Sequence, residues 1–332
     1  EDLTALAATL KDYHFCLMGV GSPSMRRAIA DELYDLSASL RSAPFEMWAL
    51  KYRTESALED GATSELQTCC RIFDKQAHFH RMPFFLCHAF HHDAMLALRE
   101  GRLEEVEALA GRGLELGMRS GNQIVVQFFG VQLWSLKREQ GRLAELESQV
   151  EVLIRDHPDD SGWYAARAYD QLQRGDEGRA RMAFEDLVDN ELSASRRSTN
   201  WSTTPALLAE MAARLGDPER SRRLYEELEA HADKNVIVSV SMSDFGPVHR
   251  FLGLCASNFD PPRARRHLER AVFLAERQRL GPALARAQID LAGLIIADDR
   301  DRALDLAGKA ARASERMGAG AVFSAAKALI EA

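Results

Sequence analysis

A short turn containing glycine recurs along this chain, each time between two segments with helical hydrophobic spacing. The turn glycines are 40, 40, 34 and 41 residues apart: Gly61, Gly101, Gly141, Gly175 and Gly216. Glycine tolerates the positive φ that ends a helix and allows the chain to reverse. A period near 40 residues is typical of arrays that repeat one helical hairpin. The sequence therefore predicts a solenoid rather than a single closed core.

Residues at fixed distances from these turns share their chemical character. Seven residues before each glycine lies a mostly small residue, which would let two helices approach closely: Thr54, Ala94, Trp134, Ala168 and Ala209. Five and nine residues after each glycine lies a pair on one helical stripe: Leu66 and Cys70, Val106 and Ala110, Leu146 and Val150, Ala180 and Phe184, Ser221 and Tyr225. We expect all of these positions to face neighbouring helices.

Further helix pairs extend the array on both sides of the five turns. Leu3–Leu17 and Ser24–Leu40 form a first pair, and two more pairs follow Gly216, the earlier one starting at Asp244. A last helix at residues 322–330 would cover the end. The predicted fold is all-α: a right-handed, tetratricopeptide-like α-solenoid of about seven to eight antiparallel helix pairs.

We expect residues 1–332 to form a single elongated and curved domain with bends near residues 190–203 and 234–246. The second bend contains the β-branched run at residues 235–242. This run could be extended, but one short run forms no sheet by itself.

Charge and cysteine content narrow the class of partner. The formal net charge is −8 and the isoelectric point is near 5.8, so nonspecific attraction to nucleic acid or anionic lipid is not expected. The sequence shows no run of the roughly 20 apolar residues that spans a bilayer. The five scattered cysteines indicate free thiols in a reducing compartment. We expect a cytoplasmic protein without a cofactor that does not contact nucleic acid or membrane directly.

The segment 77–93 holds five of the ten histidines and is rich in potential metal ligands. Cys87 and His91 are four residues apart, as are His88 and His92, so each pair could offer two ligands to one metal. A helix places the two pairs about 100° apart, so the four groups do not readily converge on one ion. Histidine and aromatic rings that fill gaps between helices are the favoured interpretation, and we predict no metal.

The sequence contains none of four common catalytic signatures: the phosphate loop, Gly-x-Gly-x-x-Gly, Gly-x-Ser-x-Gly and His-Glu-x-x-His. Paired carboxylates are abundant, as is typical of solvated helices. We therefore predict that the chain is not an enzyme. A weaker alternative is an enzyme that uses the His and Cys side chains of residues 78–92.

Several segments resemble the C-terminal helical-repeat region of large bacterial regulators: residues 128–143, 200–201, 207–220, 224–225, 235–236, 246–253 and 269–294. Those proteins combine an AAA or STAND-type ATPase with a nucleotide-cyclase module or a LuxR-type helix-turn-helix, and the repeat array follows the ATPase. The resemblance covers the chain from about Phe45 onward. It implies a noncatalytic sensor and scaffold for signal transduction or transcription regulation, which restrains or assembles an attached or partner ATPase.

Stacked hairpins leave a concave groove lined by the first helix of each pair, which suits an extended peptide or a partner helix. Tyr, Trp and Arg are the residue types that most often anchor interfaces. The candidate binding residues on or near these helices are Trp48, Tyr52, His88, Gln127, Trp134, Trp163, Arg167, Asn200, Trp201, His249 and Arg250.

Two functional hypotheses remain open for this groove. In the first, it binds a protein: a peptide, or a cognate ATPase, cyclase or regulator domain. In the second, it encloses a small-molecule effector near Asn200–Trp201 and His249–Arg250. A closed pocket of roughly 300 Å³ or more with convergent polar groups would favour the receptor, and an open polar groove would favour the scaffold.

Overall fold

The computed structural model describes residues 2–18, 22–192 and 201–331. Within them the chain forms 17 α-helices and one β-hairpin. The helices are α1 (Leu3–Cys16), α2 (Pro23–Leu40), α3 (Ala43–Glu59), α4 (Thr63–Phe79), α5 (Pro83–Glu100), α6 (Leu103–Arg119), α7 (Val125–Gln140), α8 (Glu147–Asp156), α9 (Ser161–Gln173), α10 (Glu177–Asp186), α11 (Thr203–Leu215), α12 (Pro218–Glu229), α13 (Val248–Ala256), α14 (Pro261–Gln278), α15 (Gly281–Ile295), α16 (Arg300–Met317) and α17 (Gly320–Glu331). A 3₁₀ turn (Leu143–Leu146) precedes α8, and a π turn (Leu187–Glu191) follows α10.

Successive helices pack as eight hairpins, from α1–α2 to α15–α16, and α17 covers the last of them. The prediction of an all-α solenoid of seven to eight pairs is confirmed. The largest apolar core lies mainly in α7–α14, and smaller clusters continue it toward both ends. Each pair buries an apolar stripe against the next, so the core is continuous along the array.

The glycine turns have the backbone conformation that the sequence predicts. All five turn glycines have positive φ, between +65° and +84°. The five positions before the turns and the ten positions after them are all buried. Small residues such as Ala94 and Ala168 have no exposed surface.

A β-hairpin precedes α13, where the sequence predicts only a bend. Strand β1 (Asn235–Val238) pairs antiparallel with β2 (Ser243–Pro247), with a bulge between Val236 and Ile237. The expected helix start at Asp244 is wrong, because residues 243–247 pair with β1 and α13 begins at Val248. The β-branched run thus forms a sheet with the segment that follows it.

The hairpin is held on the inner side of the array by hydrogen bonds to inner helices. Gln132 Nε2 on α7 donates to Met242 O at 3.1 Å, and Ser202 Oγ donates to Ile237 O at 3.1 Å. At the tip, Ser239, Val240 and Ser241 have positive φ although none is glycine, and all three are buried. Such a turn costs conformational energy, so the surrounding contacts must hold it in place.

The C-terminal pairs fold back onto the turns of the N-terminal pairs. Thr63 Oγ1 donates to Gln278 O at 3.2 Å, and Lys234 Nζ lies 2.7 Å from Asp60 Oδ1. A Cβ atom on Gly320 would lie 2.7 Å from Gln140 O, so α17 approaches the end of α7 more closely than an alanine would allow. The solenoid therefore closes on itself.

This closure differs from the elongated body with an open groove that the sequence suggests. The accessible surface is 14590 Å² for 37.0 kDa, close to the roughly 13,600 Å² expected of a compact monomer of that mass. The hairpin and the C-terminal helices occupy space that an open array would leave as a groove. Among the described residues, none of the helices combines the length and apolar character that a bilayer crossing requires.

Candidate ligand-binding cavity

A cavity of about 510 Å³ lies between inner helices of the closed solenoid. Its wall is formed by the first helices of four pairs, α7, α9, α13 and α15, together with α17. Several lining residues are exposed and mark the mouth of the cavity: Gly141, Ala144, Gln173, Ser324 and Ala325. The cavity exists because α15 and α17 pack against α7, which encloses space that would otherwise be open groove.

Six charged side chains form a continuous chain of ion pairs along and behind this wall. In order they are Arg286, Glu139, Arg138, Glu210, Arg250 and Asp290. The first and last members are one helical turn apart on α15, so the chain of pairs begins and ends on the same helix. We call these six residues the ion-pair circuit.

The circuit connects four helices that are distant in sequence. Arg286 Nε on α15 lies 3.0 Å from Glu139 Oε2 on α7, and Arg138 Nη1 lies 2.8 Å from Glu139 Oε1. Glu210 on α11 accepts from Arg138 and, at 2.6 Å, from Arg250 Nη1 on α13. These pairs hold the C-terminal helix α15 against the N-terminal half of the array.

At two carboxylates of the circuit, burial acts to raise the pKa and neighbouring guanidinium groups act to lower it. Burial alone would raise the pKa of Glu210, but the guanidinium groups of Arg138 and Arg250 hold it well below its usual range. At Asp290, burial outweighs the attraction of Arg250, and the pKa is raised. Glu210 is therefore the anionic centre of the circuit, bridging two guanidinium groups.

A second ion pair lies across the cavity on α9. Asp170 pairs with Arg174 one turn later, and Arg174 Nη1 also lies 2.7 Å from Glu147 Oε2. Burial raises the pKa of Asp170. Asp170 Oδ1 and Arg138 Nε are both buried without a hydrogen-bond partner among the described residues. Neither atom has accessible surface, so the charged groups that a bound molecule meets are the paired ones of the wall.

This arrangement suits the binding of a polar, charged molecule. A cavity of several hundred Å³ with a few convergent polar groups has the dimensions of a small-molecule site. Its charged groups are paired with one another: Asp170 with Arg174, Arg250 with Asp290, and Arg286 with Glu139.

Of the candidate binding residues that the structure describes, Arg250 alone lines this cavity. Three others form an aromatic cluster further toward the N-terminus: Trp48, Tyr52 and His88. Tyr52 is 2% exposed, donates to Lys11 O at 2.9 Å and stacks on His14 at 3.7 Å between ring centroids. His88 is 1% exposed and lies between Phe84 and Phe128.

The remaining candidates lie apart from the cavity. Trp134 and Trp163 are buried around a recess of about 30 Å³ beside the hairpin. Gln127 donates to Asp160, and Arg167 pairs with Glu151.

The candidates near the hairpin and α13 also have partners of their own. Trp201 packs on His231, and His249 Nδ1 hydrogen-bonds to His267 Nδ1 at 2.8 Å. Asn200 lies outside the described residues.

The His and Cys side chains of residues 78–92 point to different neighbours. Cys87 Sγ hydrogen-bonds to Phe84 O at 2.8 Å, and His91 Nδ1 lies 2.8 Å from Gln132 Oε1. The rings of His88 and His92 are 6.5 Å apart between centroids. Across residues 2–18, 22–192 and 201–331, no group of three or more His, Cys, Asp or Glu side chains is arranged to hold a metal ion.

Sequence reasoning missed most of the residues that build the cavity: Arg138, Glu139, Tyr169, Asp170, Arg174, Glu210, Arg286 and Asp290. A signal for some of them exists. Glu210, Arg250 and Arg286 each lie in a largely apolar stretch of an inner helix, where the nearest other charge is at least four residues away. A charge at a buried position nearly always has a partner, so these three predict a buried polar site.

Comparisons with known proteins assign the chain to no family. No protein-family model matches the sequence, and no curated protein sequence matches it. Among solved structures, the chain is similar to a "circular tandem repeat protein with novel repeat topology and enhanced subunit contact surfaces". The identity is 16% and the TM-score is 0.21, over 99% of this chain and 94% of that one. The eight stacked helix pairs of the described residues themselves make the chain a helical-repeat protein.

Proposed function

We propose that this chain is a noncatalytic sensor that binds a small-molecule effector in the cavity of about 510 Å³. The observation that supports this proposal is the cavity itself, because charged groups from several inner helices converge on its wall. Among the described residues, the hairpin and α15–α17 contact the inner helices and interrupt the inner face along which an extended peptide would lie. The receptor hypothesis is therefore favoured over the peptide-binding scaffold.

We further propose that the bound effector regulates an attached or partner ATPase or other signalling module in the cytoplasm. Support for this output comes from the resemblance to the repeat region of bacterial ATPase regulators. A ligand that contacts α7, α15 and α17 together would favour the closed array, which gives a physical route from binding to a partner domain. The proposal includes no direct contact with nucleic acid or membrane.

The test uses one residue at the mouth of the cavity and a matched residue beyond it. Ala325 is exposed and lines the cavity, whereas Ala328 is exposed on the same helix and does not line it. Ala325→Trp should block the cavity, and Ala328→Trp should leave it open. The purified wild type and both variants are screened by thermal shift against organic acids, nucleotides, amino acids, sugars and polyamines.

The proposal predicts that at least one compound raises the melting temperature of wild type and Ala328→Trp but not of Ala325→Trp, because a ligand that binds only the native state stabilises it. Native mass spectrometry of the same hits should give one bound molecule per chain. Responses that Ala325→Trp leaves unchanged, or no response to any compound, would contradict the proposed function.

A further inference from the structure

The lining of the cavity is richer in cationic than in anionic groups. Four arginines line it, Arg138, Arg174, Arg250 and Arg286, against two aspartates, Asp170 and Asp290. The other two carboxylates of the circuit, Glu139 and Glu210, lie behind the wall, on the far side of the guanidinium groups. A molecule inside the cavity therefore meets guanidinium groups first.

These guanidinium groups keep hydrogen-bonding capacity that the circuit does not use. Arg138 is the exception, because its Nη1 and Nη2 donate to Glu139 and Glu210 and its Nε has no accessible surface. Arg250 uses Nε and Nη1 in its pairs, and Arg286 uses Nε and Nη2. Within the described part of the chain, Arg250 Nη2 and Arg286 Nη1 remain without an acceptor. Oxygen atoms of a carboxylate or phosphate are the acceptors that arginine binds most strongly.

Two carboxyl groups also line the cavity, and both are paired: Asp170 with Arg174, and Asp290 with Arg250. Burial raises the pKa of Asp170 and of Asp290, so both carboxyl groups resist an incoming anion less than exposed carboxylates would. A ligand that fits must accept hydrogen bonds at the arginines.

The volume excludes a bare inorganic ion as the natural occupant. At about 510 Å³ the cavity is far larger than phosphate or sulfate and falls within the range of sites for drug-sized molecules. Apolar lining from Leu143, Ile289 and Val322 suits the carbon skeleton of an organic molecule.

From these observations we infer that the ligand is an organic oxyanion. Its carboxylate or phosphate group is bound by Arg250 and Arg286, which line the cavity and keep guanidinium N–H groups that the circuit does not use. This inference rests on the proposed receptor function and specifies the chemical class of its effector.

Isothermal titration with four probes tests the class: AMP and citrate as oxyanions, adenosine as the uncharged counterpart of AMP, and spermidine as a cation. AMP or citrate should bind wild type, more weakly as salt concentration rises, while adenosine and spermidine should not bind. The comparison of AMP with citrate separates a phosphate ligand from a carboxylate ligand.

Substitutions that introduce a charge at the mouth of the cavity, or beyond it on the same helix, give a matched set of variants. Ala325→Glu should weaken the binding of the oxyanion by about tenfold, and Ala325→Lys should strengthen it, because each places one charge near the bound group. Ala328→Glu adds the same charge on α17 away from the cavity and should leave the affinity unchanged.

The outcomes separate this inference from the proposed function. Binding of spermidine or adenosine alone, blocked by Ala325→Trp, would overturn the oxyanion class and keep the receptor. Equal loss of oxyanion affinity in Ala325→Glu and Ala328→Glu would overturn the assignment to this cavity. No binding of any probe, together with no response in the compound screen, would overturn both.

Discussion

At the scale of residues, buried charges inside largely apolar helices build the candidate site. Glu210, Arg250 and Arg286 each lie in such a stretch, and each is paired with a residue distant in the sequence. The sequence indicates that such charges need partners, but it does not name them, because the partners lie far away along the chain. Arg286 and Glu139, for example, are 147 residues apart. Most of the candidate site was therefore beyond prediction from the sequence.

Removing the charge of Glu210 tests the circuit at its centre. Glu210→Gln would leave Arg138 and Arg250 buried beside a neutral amide, and breaking a buried ion pair typically costs about 3–5 kcal/mol. We expect urea denaturation to show a loss of free energy of unfolding of this order.

Lys309→Gln, which breaks an exposed pair with Asp305, serves as the control. It should change the free energy of unfolding by about 0.5 kcal/mol or less. Equal effects of the two substitutions would show that the circuit is not a coupled buried network.

Buried histidines predict a loss of stability in acid. Burial lowers the pKa of His92 from 6.5 to about 3, and His88 shifts in the same direction for the same reason. Both are neutral in the native state, whereas the unfolded chain takes up their protons below pH 6.5. Their contribution to stability falls as pH drops through 6.5 toward the native pKa, by about 2 kcal/mol for His92 between pH 7.5 and 5.0.

Urea denaturation at pH 7.5 and 5.0 measures this linkage. His92→Leu removes one titrating ring and should reduce the difference in free energy of unfolding between the two pH values by about 2 kcal/mol. Phe184→Leu alters a buried residue in another part of the core, so it should lower stability equally at both pH values. A pH dependence unchanged in His92→Leu would refute the buried neutral state.

At the scale of elements, the glycine period predicted the helix pairs, their turns and their buried stripes. These features are local, since positive φ and apolar spacing depend on residues close in sequence. The second strand of the hairpin was not predicted, because Ser243–Pro247 lacks a β-branched pattern and becomes a strand through pairing with β1. The end of a helix can be predicted from local residues. Strand pairing depends on two segments together, so neither segment predicts it alone.

Some glycines serve close approach between distant elements, which a sequence period does not reveal. Gly320 is the first residue of α17 and packs against the carbonyl of Gln140, and an added Cβ would lie 2.7 Å from that oxygen. Gly320→Ala should therefore lower the free energy of unfolding by about 1–3 kcal/mol, as overpacking does. Urea denaturation measures the change.

Gly178 near the start of α10 provides the matched control, because an added Cβ would meet nothing within 4 Å. Gly178→Ala should raise stability by up to about 1 kcal/mol through helix propensity. If Gly320→Ala also stabilised the chain, the close docking of α17 on α7 would be wrong.

At the scale of the whole molecule, closure encloses the cavity in which we propose that an effector binds. A repeat period predicts how each pair contacts the next, but the number of pairs per superhelical turn depends on small rotations that sequence does not specify. The contacts of Thr63 with Gln278 and of Arg286 with Glu139 show that the two halves meet. We propose on this basis that residues 1–332 act as one domain.

Small-angle X-ray scattering of the monomeric chain at neutral pH tests this closure most directly. A compact domain of 332 residues has a radius of gyration of about 20 Å by the scaling for folded domains. Eight helix pairs stacked in an open line at about 10 Å each would extend to about 80 Å and give a radius of gyration of about 27 Å. The closed solenoid predicts a radius of gyration close to that of the compact domain. A radius of gyration close to that of the open line would contradict it.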